Sequence, residues 1–153
     1  MNDQLVANGA VEEAKLETPV QATGPELVPT KYDKVPAWSI YVELRTRISC
    51  VPYTHDCDHY EALDSLYRLY QAIRGILADH GGCFVTFGVV EPFFNGEYRE
   101  FLTRWGARKR KLNRTAFPRE EFVKELKAFQ VACKRLCEKL YDIIVSEIDE
   151  PAT

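Results

Sequence analysis

The sequence predicts an all-α protein, an up-down-up-down four-helix bundle with a disordered N-terminal tail, on three observations. Apolar residues recur at three- and four-residue steps through four segments, the period that places one stripe on one face of a helix. The connections between those segments are short, which turns successive helices back on one another. Residues 1–35 show no such period. They hold Pro19, Pro25 and Pro29, and six acids (Asp3, Glu12, Glu13, Glu17, Glu26, Asp33) against three lysines (Lys15, Lys31, Lys34), a composition too poor in apolar surface to order itself. The expected division is a tail over 1–35 and a helical bundle over 36–150.

The first helix is expected over 36–51. Pro36 suits the first helical position, where its missing N–H costs nothing. Ala37, Ile40, Leu44, Ile48 and Val51 supply the stripe, and Glu43 is placed to pair with Arg47 one turn on. The same residues also alternate as Ile40, Val42, Leu44, Thr46 and Ile48, a strand-like pattern that the helical spacing outweighs. The second helix is expected over Asp58–His80, with Leu63, Leu66, Tyr70, Ile73 and Leu77 on one face, Asp56 and Asp58 at the positive end of its dipole, and Gly81-Gly82 ending it. The third runs from Phe84 to about Ala107 on a stripe of Phe84, Phe87, Phe94, Tyr98, Phe101 and Trp105, with Val90 covering the missing turn. Pro92 inside it predicts a kink or a break between Val89 and Asn95, since the ring removes a backbone donor. The fourth begins near Pro118 and reaches about Asp149, carrying Phe122, Leu126, Phe129, Cys133, Leu136, Leu140, Ile143 and Ile148. It outruns the second helix, and Pro151 stops it.

A chain of 153 residues that is 46% hydrophobic and 28% charged is in the ordinary globular range, so it is expected to bury one core. No stretch approaches the roughly 20 apolar residues of a membrane span, and residues 1–10 lack the basic start and apolar run of a secretory leader. Five cysteines in no framework fit reduced thiols and a cytoplasmic setting. The net charge of −3 resides in the tail, since residues 36–153 balance at 17 acids against 17 bases.

The best metal-binding candidate is His55-Asp56-Cys57-Asp58-His59 with Cys50 upstream. Its spacing is unlike the paired ligands of structural zinc sites, and the remote pair His80 and Cys83 lies a helix length away, so a capping loop is the expected reading and no cofactor is assigned. No nucleophile motif and no phosphate-cradling glycine loop occurs, so no catalytic residue is assigned and the protein is read as a non-enzyme. The strongest local charge feature is the run Arg104, Arg108, Lys109, Arg110, Lys111 and Arg114 beside Trp105. Cations with an aromatic can grip phosphates and stack a base. Against this, basic residues suit a helix C-terminus, Trp105 falls on the core stripe, and antiparallel packing would bring Asp56, Asp58, Glu61, Asp64, Glu120 and Glu121 to the same end.

Tyr41-Val42-Glu43-Leu44 with Thr46-Arg47-Ile48, then Ala62 to Tyr70 with Arg74 and Ile76-Leu77, then Phe94-Asn95 and Tyr98 to Trp105 together resemble a helical module of undefined biochemistry. That module recurs in bacterial multidomain proteins thought to act in antiviral conflict. The resemblance covers about residues 38–105, and where the module carries proline and histidine this chain has Glu100 and Gly106. It implies a bacterial origin, a helical first segment and an accessory or sensing role, with Arg47 and Arg74 tying helices together through Glu43 or Asp64. It transfers no catalytic residue. The expected function is therefore a non-catalytic helical adaptor or sensor acting through another protein or a second copy of itself. The alternative is a nucleic-acid-associated factor using residues 104–114.

Overall fold

A computed structural model describes residues 27–148; of the disordered tail expected over 1–35, residues 1–26 lie outside the described residues, and residues 31–35 belong instead to the first helix. These residues are all-helical, with no strand among them. Helix α1 spans Lys31–Arg45, α2 His59–Asp79, α3 Phe84–Phe93, α4 Arg99–Lys111 and α5 Arg119–Val145, and a π-helical turn at Phe94–Tyr98 joins α3 to α4.

Helix α1 starts at Lys31 rather than Pro36 because Thr30 and Asp33 form a capping box there. The Thr30 hydroxyl accepts from the Tyr32 amide at 3.3 Å, and the Thr30 amide donates to the Asp33 carboxylate at 2.9 Å. These bonds satisfy donors that the first helical turn leaves free. Pro36 consequently sits inside the helix. At the other end Ser49 donates its hydroxyl to the Leu44 carbonyl at 2.6 Å, so Ile48 and Val51, expected on the stripe, fall in the following turn.

Asp58 caps α2, its carboxylate accepting from the Tyr60 and Glu61 amides at 2.7 and 3.4 Å. Gly82 closes the α2–α3 turn at φ 83°, a conformation that a Cβ would strain. The interruption of the third segment falls at Gly96 (φ −92°, ψ −105°) and not at Pro92. The wider π turn takes up one extra residue, so the buried positions after Cys83 run Thr86, Val90, Phe94, Tyr98, Phe101, Trp105. Phe84 and Phe87, expected on that stripe, are 71% and 51% exposed. Helix α5 ends at Ser146, whose hydroxyl turns back to the Ile143 carbonyl at 2.7 Å.

Helix α1 packs on α5, α2 and α3, α3 packs on α5, and α2 packs on α4. Ile40 and Leu44 of α1, Leu66, Leu69 and Ile73 of α2, and Leu126 and Leu140 of α5 are wholly buried in one core. Tyr98, Phe101, Trp105, Phe122 and Phe129 fill it with interlocked rings, Trp105 and Phe122 meeting edge to face at 5.1 Å and Phe101 and Phe129 stacking at 4.8 Å. The α3 start has no capping side chain of its own. Asp33 of α1 serves it instead, its buried carboxylate accepting from the Thr86 amide at 2.9 Å while the Thr86 hydroxyl donates to the Asp33 carbonyl at 2.9 Å.

Candidate functional site

The basic run is assembled by the end of α4 and the turn after it, and four of its six cations face carboxylates. Arg104 pairs with Glu125 at 3.0 Å, Lys109 with Asp64 at 2.5 Å, and Arg114 with Asp58. The Arg108 guanidinium lies 2.9 Å from Glu121, without the alignment of a hydrogen bond, and spreads over the Trp105 ring at 4.6 Å. Each such exposed pair contributes on the order of 0–1 kcal/mol, so their main effect is to neutralise this end of the molecule. Lys111 is exposed at the end of α4, and Arg110 reaches into a neighbouring groove. Trp105 is wholly buried, its indole N–H donating to Glu125 at 2.6 Å, and offers no free face for stacking.

That groove, about 860 Å³, runs between α2 and the π turn with α4. Leu63, Tyr70, Phe94 and Leu102 form its apolar side, with Tyr70 and Phe94 stacked at 3.8 Å. Arg74, Arg99, Lys109 and Arg110 line it against a single carboxylate, Asp64, which Lys109 already holds. Among the described residues Arg74, Arg99 and Arg110 form no ion pair. Arg47 does pair with Glu43, at 2.7 Å, but Arg74 makes no bond to Asp64 and faces the groove. Arg99 was not singled out by sequence. Its signal is the spacing of Arg99, Thr103, Gly106 and Arg110 on one face of α4, opposite Tyr67, Tyr70 and Arg74 on one face of α2.

Several of the metal-binding candidates hold structural roles. Asp58 caps α2, Cys83 donates to the His80 carbonyl at 3.0 Å, and His80 Nδ1 meets the Ile76 carbonyl at 2.8 Å. Among the described residues no three His, Cys, Asp or Glu side chains gather into a metal-binding set. The Cys50 and Cys137 sulfurs lie 3.8 Å apart. Donation from Cys137 holds the Cys50 thiol below its usual range, with Arg45 and Lys134 acting in the same direction.

His59 stacks on Phe117 at 4.4 Å with its Nε2 buried and unpartnered. Desolvation lowers its pKa from 6.5, Arg119 and Arg114 act in the same direction, and Asp58 opposes them. Folding thus favours the neutral ring. Its stability contribution is complete above the unfolded pKa of 6.5 and is lost as pH falls through the depressed folded value. The urea midpoint of the wild type is expected to drop between pH 6.5 and 5 more than that of His59→Phe, and equal drops would clear His59 of the effect.

A second surface lies on the outer face of α1, where Val35, Trp38 and Val42 are 59%, 54% and 36% exposed. Trp38 stacks on Tyr41 at 5.9 Å, and Tyr41 meets Tyr141 of α5 at 6.2 Å, extending an apolar band to Tyr141. The chain matches no protein-family model, no curated protein and no solved structure.

Proposed function

We propose that this protein is a non-catalytic helical adaptor or sensor that acts by binding another protein through the outer band of α1 and α5. The observation carrying this reading is the run of exposed Val35, Trp38, Val42 and Tyr141 on helices whose inner faces already fill the core. Large exposed rings gathered in one patch mark contact surfaces. The scaffold in this reading is an up-down-up-down bundle in which α3, the π turn and α4 act as one interrupted helix. Contacts of Lys34 with Ser146 and of Gln130 with Ile48 support the antiparallel course of α1 and α5. No helix of the described residues is long and apolar enough to cross a membrane, and a cytoplasmic setting goes with the free thiols. A role in bacterial antiviral defence rests on the resemblance of residues 38–105 alone. The nucleic-acid reading of residues 104–114 has less support, because Arg104, Arg108, Lys109 and Arg114 face acids.

The test is a nuclease-treated pull-down from the native host, comparing the wild type with Trp38→Glu/Tyr141→Glu. A protein retained at near-equal abundance by the wild type and lost from the variant is the expected result. Both replaced residues are half exposed, so the variant should fold, which circular dichroism checks. Recovery without a partner, or a partner held equally by both chains, sinks the proposal.

A further inference from the structure

The geometry points to a second site, independent of the α1–α5 band: the α2–α4 groove binds a nucleoside phosphate, with Arg74, Arg99 and Arg110 on the phosphates and Tyr67 against the ring. Three observations carry it. The groove, at about 860 Å³, has the size of a ligand cleft. Its charge opposes that of the chain, which is −3 in all, because the groove sets four cations against Asp64 alone. The three arginines without carboxylate partners present planar donor forks, the geometry that grips phosphate oxygens in pairs.

The shape of the ligand follows from where the cations sit. Arg99 and Arg110 stand eleven residues apart on α4, about 16 Å at the helical rise. Arg74 stands seven residues beyond Tyr67 on α2, roughly 10 Å. Such a spread suits an extended ligand with several charges rather than a single compact anion. Tyr67 is 57% exposed on the groove wall, whereas the Tyr70 and Phe94 rings cover one another. Tyr67 is therefore the ring with a face available for stacking, and base–aromatic stacking tolerates any base.

The π turn builds this wall. Its extra residue lets Phe94 enter the core side while Asn95 and Arg99 line the groove, and π turns inside helices often mark functional positions.

Free nucleotides and the phosphates and bases of a single strand share this chemistry, and the experiment separates them. The whole chain is titrated by calorimetry with adenosine triphosphate, inorganic triphosphate and a ten-residue oligothymidylate, at low and at moderate salt. Binding of the nucleotide or the oligonucleotide is expected, weakening as salt rises. Arg99→Glu/Arg110→Glu should weaken it by at least about tenfold, as expected when phosphate forks are removed. Arg104→Glu, whose residue lies outside the groove with Glu125, should leave it unchanged. Tyr67→Ala should weaken the ring-bearing ligands and spare inorganic triphosphate. Binding of the oligonucleotide alone assigns the site to a strand, and binding of the nucleotide assigns it to the free molecule. The proposal is overturned if neither ring-bearing ligand binds at low salt, if Arg104→Glu weakens binding as much as the groove variant, or if Tyr67→Ala has no effect. All four replaced side chains are exposed, and unchanged thermal melts establish that each variant is folded.

Discussion

Trp105→Ala is expected to cost about 3–5 kcal/mol of folding stability, a fall of roughly 10–20 °C in melting temperature. Trp105 is wholly buried, with Phe117 at 5.4 Å and Phe122 at 5.1 Å from its ring. Truncation opens a cavity between α4, α5 and the segment before α5, and aromatic neighbours on three sides cannot collapse into it. It also frees Glu125 from the indole N–H and removes the surface on which Arg108 rests. Trp105→Phe separates these effects. It keeps most of the volume and loses the hydrogen bond, so it should cost only about 1–2 kcal/mol. Thermal melts of the two variants check the ranking, and a Trp105→Ala protein as stable as the wild type would mean the core is not built around this ring.

Asp33→Ala should be the second most damaging change, at about 2–4 kcal/mol, combining the loss of a helix cap with the buried Thr86 amide left unpaired. The carboxylate is 1% exposed and accepts from the Thr30 amide, the Thr30 hydroxyl and the Thr86 amide. One side chain therefore holds the first turns of both α1 and α3. Asp33→Asn retains one acceptor oxygen and should recover about half of the loss. Amide hydrogen exchange provides the specific readout. In Asp33→Ala the Thr86 amide should exchange much faster, while amides in the middle of α2 change only with global stability. Uniform acceleration would assign the damage elsewhere.

Helix α2 was legible almost to the residue, because an aspartate cap and a glycine pair bracket a strict apolar stripe. Helix α1 was legible in kind but displaced. Pro36 reads as a helix start, and the true start uses Asp33 where a capping box ordinarily has Glu or Gln. The third segment was misread in register. A straight 3.6-residue period carries Phe84 and Phe87 inward with Tyr98 and Trp105, whereas the π turn lets two successive four-residue steps follow Val90. Nothing in Phe94-Asn95-Gly96 distinguishes a wide turn from a kink at Pro92, since both disturb the backbone ladder at neighbouring positions. The neutralisation of the basic run was foreseeable from antiparallel packing, because the acids of α2 and α5 lie at the right ends of those helices. The groove was not, since it exists only once α2 and α4 are known to face each other across the bulge.

The principal packing of α1 is against α5, and this has a consequence for synthesis. Helix α1 ends at Arg45 and α5 begins at Arg119, with α2, α3 and α4 between them. At roughly 5–20 residues per second, the ribosome makes α5 several seconds after α1. Through that interval α1, whose Ala37, Ile40 and Leu44 end up buried, has only α2 and α3 to pack against. A nascent chain halted before Phe122 thus leaves the α5-facing side of its first helix uncovered, a handle for a chaperone. The packing around α1 is complete only when α5 has left the exit tunnel.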